Sequence, residues 1–147
     1  MLLQLPTVPP DVRVFHPVLT VRQPFAWAIV ARLKDMENRT WATPHRGRLY
    51  IHAAGRVPRE TMALAATFGL SLPEDAVFSA IIGHVTLADV VTNSRSRWAM
   101  PEHKHWSLTD AQEYDPPVPC PGRLSLWSHE PARPQDTDRP PGTATDR

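Results

Sequence analysis

Apolar and polar positions alternate most cleanly over residues 46–53. Arg46, Arg48, Tyr50 and His52 fall on one side and Gly47, Leu49, Ile51 and Ala53 on the other. A period of two is that of a β-strand, so this segment predicts a strand with an apolar, core-directed face and a basic, aromatic one. Upstream, residues 18–22 are a β-rich run and predict another strand. Pro24 then suits the first turn of a helix, where its missing N–H costs nothing. Phe25, Ile29 and Leu33 recur at four-residue spacing, and Trp27 and Val30 widen the stripe, predicting a helix over 25–33. Lys34 falls at its C-terminal end, where a cation meets the favourable end of the dipole. Residues 37–43 predict a strand with Glu37, Arg39, Trp41 and Thr43 on one face, followed by a turn at 44–47.

Further along, Pro58-Arg-Glu-Thr opens a second helix, with Met62, Leu64, Ala65 and Phe68 facing the core and Gly69 as its stop. Residues 79–91 form a long β-rich run in which Gly83 marks a bulge or bend of the kind barrels use at corners. Residues 94–105 read as a polar loop and 106–108 as a short strand. The last strand is 123–127, with Leu124 and Leu126 facing one way and Ser125 and Trp127 the other. A handful of strands with two helices points to an α+β domain built on a partly closed antiparallel or mixed barrel. Residues 1–16, with Pro6, Pro9 and Pro10, read as a loosely ordered arm. Residues 129–147 hold four prolines, charges of both signs and no large apolar side chain, and are expected to be disordered. One domain, 17–128, remains between them.

Charge changes the picture. The chain carries a net charge of +1, yet residues 32–59 hold seven Lys/Arg against two acids, a local +5 that leaves −4 elsewhere. Such a field favours phosphate-bearing partners, although a solvated polar face would look the same. The single cysteine, Cys120, excludes an intrachain disulfide, suits a reducing cytoplasm, and reads as an inert thiol between two prolines. No apolar run approaches the ~18 residues of a membrane span, and the first residues lack a signal peptide's basic start. His103-Lys-His105 has no partner that would complete a metal site, and Lys104 repels a cation, so no metal or cofactor is expected. His84 reads as a core or barrel-lining histidine. Asp110, Glu113 and Asp115 read as an acidic loop facing the basic cleft, as a lid or as charge balance.

Several motifs in order carry a resemblance. Leu19-Thr-Val-Arg-Gln-Pro-Phe-Ala-Trp, Lys34-Asp-Met-Glu37-Asn-Arg39-Thr-Trp41, His45-Arg-Gly-Arg-Leu-Tyr-Ile-His52, Gly83-His-Val-Thr-Leu-Ala-Asp-Val-Val91 and Pro119-Cys-Pro-Gly-Arg-Leu-Ser-Leu-Trp127 resemble the ASCH (activating signal cointegrator homology) domain family over roughly 17–128. The resemblance implies a small PUA-like β-barrel flanked by two main helices. It also implies nucleic-acid binding, most often of RNA, in a cleft beside the first helix, with a role in RNA metabolism or in translational or transcriptional regulation. The family's Gly-x-Lys-x-x-Glu-x-Arg motif is matched by Lys34, Glu37 and Arg39. Arg32 stands in place of the glycine, which would allow a close backbone approach or a left-handed cap; it either adds one more phosphate contact or leaves the cleft narrower than in the family.

Two functions are then in view. In the first, Arg22, Lys34, Glu37, Arg39, Arg46, Arg48 and His52 contact phosphates or base edges, and Trp41 and Tyr50 stack bases. Trp41 is equally a core residue on sequence alone, and Arg46 and Arg48 equally a solubilising face. In the second, Lys34 and Glu37 are catalytic. Small bacterial ASCH-like proteins that hydrolyse N4-acetylcytidine use a lysine, a threonine three residues on and a distant glutamate. Here Lys34 matches, but Glu37 replaces the threonine and is not an equivalent hydroxyl nucleophile. Ribonuclease activity, known among family relatives, has no separate motif here. The expected partner is RNA, another nucleic acid or a nucleoside, in the cytoplasm and away from membranes.

Overall fold

The alternating segment folds as β3 (Gly47–Ala53) in a computed structural model that describes residues 16–123 and 126–128. The expectations for the arm up to residue 15, for Leu124 and Ser125, and for the tail from 129 lie outside the described residues. Leu49, Ile51 and Ala53 enter the main core, as the period of two requires. The opposite face is not the open basic and aromatic surface that the pattern suggested. Tyr50 packs into a second, smaller core with Val18 and Ile81, and His52 is buried beneath the segment that follows Cys120.

Around β3 lie β1 (Pro17–Val21), α1 (Phe25–Val30), β2 (Met36–Arg39), α2 (Arg59–Thr67), β4 (Ala80–Val91), β5 (Lys104–Pro119) and β6 (Leu126–Ser128). Six strands form one sheet in the order β2-β5-β4-β3-β1-β6. The β1–β3 pair is parallel and the remaining pairs are antiparallel. Register shifts between β4 and β5 at Ile81/Gly83, His84/Thr86 and Leu87/Asp89 bend the two long strands and curl the sheet into a half-barrel. Gly83 is required at the first bend: a Cβ there would strike the Gln112 carbonyl oxygen and come within 2.8 Å of Val30 Cγ1. Trp106, Leu19, Ile29, Met36 and Leu87 fill the enclosed side, and each contributes on the order of 1.5–3 kcal/mol by leaving water.

Three elements differ from expectation. Helix α1 stops at Val30 because Arg32 adopts φ 68°. The Leu33 N–H bonds Ala28 O at 2.8 Å and the Arg32 N–H bonds Ile29 O at 3.1 Å, the paired bonds of a Schellman motif. Leu33, which fitted the apolar stripe, is therefore turned out and is 52% exposed. Strand β2 ends at Arg39, and Trp41 leaves it to pack edge-on against Trp106, with ring centroids 4.9 Å apart. Finally, the expected loop and short strand around 106–115 are one 16-residue strand, β5, which carries Asp110, Glu113 and Asp115 in the sheet.

Candidate nucleic-acid interface

The sheet's first strand returns to its far side, and a side chain makes the join. Arg39 on β2 donates from a terminal nitrogen to Thr20 O on β1 at 2.9 Å. It also bonds Glu37 Oε2, at 3.1 Å from Nε and 3.0 Å from the same terminal nitrogen. Behind it, Lys34 Nζ donates to Glu37 Oε1 and to Met36 O, both at 2.6 Å. Lys34 is only 4% exposed, and its ammonium also sits 5.4 Å from the Phe25 ring centroid and 5.9 Å from that of Trp98. The Schellman turn makes this possible, since it redirects the chain after α1 so that Lys34 folds back onto the strand it precedes. Burial alone would raise the Glu37 pKa. The adjacent Lys34 and Arg39 charges and their hydrogen bonds outweigh it and hold the carboxyl below its ordinary value.

In front of this cluster opens a hollow of about 740 Å³. Arg22, Arg39, Arg56 and Arg123 line it, and among the described residues Glu37 is the one carboxylate in its walls. Val21, Phe25 and Thr61 form part of its floor, and Arg22 reaches Thr61 Oγ1 at 3.4 Å. Because Glu37 is already tied to two cations, the hollow presents a surplus of guanidinium. Arg22, Arg56 and Arg123 are exposed and can adjust to an anion, whereas Arg39 is held.

His52 supports the opposite wall. Trp127 Nε1 donates to Thr20 Oγ1 at 3.0 Å, Thr20 Oγ1 lies 3.2 Å from His52 Nδ1, and His52 Nε2 donates to Cys120 O at 2.7 Å. Nε2 thus carries the ring proton and Nδ1 accepts from the hydroxyl. Burial lowers the His52 pKa, against a smaller raising effect from the Cys120 carbonyl. Gly122 lies so close that an added Cβ would stand 2.6 Å from His52 Cε1 and 2.9 Å from Thr20 Oγ1. The 120–123 lip, which delivers Arg123, therefore depends on glycine at this point. Burial pushes the Cys120 thiol pKa up, in keeping with an inert thiol.

Of the residues singled out by sequence, Arg22, Glu37, Arg39 and His52 line the hollow, and Lys34 supports it from behind. His52 does so as a buried, neutral wall group. Trp41, Arg46, Arg48 and Tyr50 lie elsewhere. Trp41 packs on Trp106, and Tyr50 is 3% exposed among His16, His84 and Tyr114, so neither offers a face to a base in this hollow. Arg46 pairs with Asp89 at 3.4 Å at the far end of β3, roughly 20 Å along the strand from His52. Half-buried Arg48 lies opposite Thr86, two positions along from Arg46. Arg32 is turned away and donates to Ala111 O, so it adds no contact here. Glu113 and Asp115 do not cover the basic hollow; with Asp75 they line a separate one of about 420 Å³. His105 bonds the Ser94 N–H and Met100 O, and no group of three metal-ligating side chains occurs among the described residues. Sequence reading missed Arg56 and Arg123 as site residues. Both follow a glycine, Gly55 and Gly122, in the segments just beyond β3 and β5.

Residues 19–118 match the ASCH domain. The chain belongs to the ASCH domain family. The ASCH domain is of the PUA-like superfamily, a family associated in general with nucleic-acid binding. Activating signal cointegrator 1 of mouse and of human are each 31% identical to it over 124 residues, covering 74% of this chain and 21% of the relative. The chain thus spans about a fifth of the length of the curated relatives it matches. Among solved structures, the ASCH protein of Zymomonas mobilis shares the fold at 18% identity and a TM-score of 0.50, covering 87% of this chain and 93% of that one. A point mutant of the same protein gives a TM-score of 0.51 over 84% and 94%.

Proposed function

We propose that this ASCH domain binds single-stranded nucleic acid, RNA foremost, through the arginine hollow, as part of RNA metabolism or gene regulation in a reducing, cytoplasmic setting. The observation that carries the reading is the convergence of four guanidinium groups on one open hollow whose carboxylate is already neutralised. Planar guanidinium forks suit phosphate oxygens, and a surplus of them makes association depend on counterion release. Hydrolysis draws less support from the same geometry. Both Lys34 hydrogen bonds are donated by its ammonium, whereas attack on an amide or proton abstraction needs its lone pair, and Glu37 is engaged on both oxygens.

Binding of a labelled single-stranded RNA, followed by fluorescence anisotropy, tests the reading. Affinity should fall steeply with salt. Arg56→Ala with Arg123→Ala should lower it at least about tenfold and flatten the log–log salt slope by about 1.4, the release expected for two phosphates on a single strand. No binding at low salt, or binding indifferent to the double substitution, refutes it.

A further inference from the structure

A second, smaller hollow of about 200 Å³ lies on the other side of the wall made by Phe25 and Glu37, two residues that line both. Its character differs from that of the arginine hollow. Phe68, Trp98, Leu64 and Met100 give it aromatic, aliphatic and thioether walls. Phe68 stacks on Trp98 at 4.9 Å and meets Phe25 edge-on at 6.3 Å, so these walls are mutually braced. Asn38 fixes the loop side by donating to Trp98 O and accepting from the Met100 N–H, both at 2.9 Å.

Two buried polar groups, Lys34 and Glu37, line this space as well, with Asn38 and His103 beside them. Lys34 lines it, is 96% shielded from solvent, and spends two ammonium hydrogens on Met36 O and Glu37 Oε1, leaving a third. Glu37 Oε1 accepts the Lys34 bond and retains a second lone pair. A donor and an acceptor 2.6 Å apart match the adjacent acceptor and donor on the edge of a heterocyclic base. The volume falls below the 300–1,000 Å³ range of sites for drug-sized molecules and suits one six-membered ring.

We propose that this second hollow is a slot for one unpaired pyrimidine base of the strand whose phosphates occupy the arginine hollow. The inference rests on the binding function proposed above and adds base selection to it. Phe25 and Glu37 form the partition: the sugar-phosphate passes on the Arg39 side, and the ring enters on the Lys34 side, between Met100 and Phe68. Lys34 donates to a carbonyl or ring-nitrogen acceptor and Glu37 accepts the neighbouring N–H. A purine, with its second ring, overfills the slot.

The experiment compares short oligo(U), oligo(C) and oligo(A) with inorganic polyphosphate of equal charge, on the wild-type protein and on Met100→Trp, which fills the slot without touching the arginines. The wild type should bind the pyrimidine oligomers at least about tenfold more tightly than oligo(A) or polyphosphate, and Met100→Trp should erase that advantage while leaving polyphosphate binding unchanged. Leu64→Phe narrows the slot from the α2 side and serves as a second variant should Met100→Trp not fold. Oligo(U) binding that folded variants leave intact, or a wild type that favours oligo(A), overturns the slot alone. Absence of any oligonucleotide binding overturns the arginine-hollow reading and the slot with it.

Discussion

Two hollows of opposite sign meet along residues 22–27. Arg22 and Phe25 belong to the basic one, and Gln23 and Trp27 to the acidic one lined by Asp75, Glu113 and Asp115. They differ less in the number of charges than in how those charges are held. In the basic hollow the single carboxylate is buried, paired with Lys34 and Arg39, and built into the barrel's seam. In the acidic hollow Asp75, Glu113 and Asp115 are all exposed, on the rim of a pocket whose buried polar member, Gln23, is spent on Val77 O and the Trp27 N–H. Fixed charge that holds the fold is therefore concentrated on one side, and the other side contributes chiefly an exposed negative field, which on the proposed reading would repel a polyanion toward the arginines.

The largest effect that would separate the two concerns Glu37. Glu37→Gln leaves Lys34 buried without its counter-charge and should cost about 3–5 kcal/mol in chemical denaturation. The matched pair Asp75→Asn with Glu113→Gln should leave the denaturation midpoint unchanged and raise RNA affinity modestly, at low salt only. Equal stability losses on the two sides would mean that both sets of charges hold the fold alike.

Acid should act next, and unevenly. His52 is neutral in the fold with a lowered pKa, so below about 6.5 the unfolded chain takes up a proton that the fold resists, and stability declines. Glu37 is lowered as well, so its contribution is present above the ordinary carboxylate value of 4.5 and is lost as pH falls through its folded value. Thermal melting followed from pH 8 downward should therefore fall in two stages, and His52→Gln should remove the earlier one. A single stage in both proteins would contradict the burial argument.

The smallest effect lies outside both hollows. At the left-handed Arg32, glycine should be more stable than alanine by about 1 kcal/mol, the reverse of the usual helical order. Urea midpoints of Arg32→Gly and Arg32→Ala compare them directly.

This contrast also explains what the sequence could reveal. Strands β1, β3 and β4 and helix α2 were legible because period and punctuation agreed, down to Gly83 at its bend. Strand β5 was not, since Thr109, Asp110, Gln112 and Glu113 are exposed along it and resemble a loop in composition. The end of α1 was masked by Leu33, whose spacing fits the stripe although Arg32 has already turned the chain. For the site, the Lys34–Glu37–Arg39 spacing announced a charge cluster but not its burial, because burial comes from α1, β1 and Trp98 packing around it. Arg56 and Arg123 join the hollow only through the parallel β1–β3 pairing and the link from β5 to β6, contacts that no local pattern encodes.

Arg39 has a consequence that reaches past affinity. Its Nε and one terminal nitrogen are committed inward to Glu37 and Thr20, so on the proposed reading a phosphate would meet the remaining nitrogen already aimed, at little entropic cost. The latch between β2 and β1 would then also be the anchor. Exposed Arg56 and Arg123 can be replaced without touching the seam, whereas a change at this one guanidinium would alter the architecture as well as recognition.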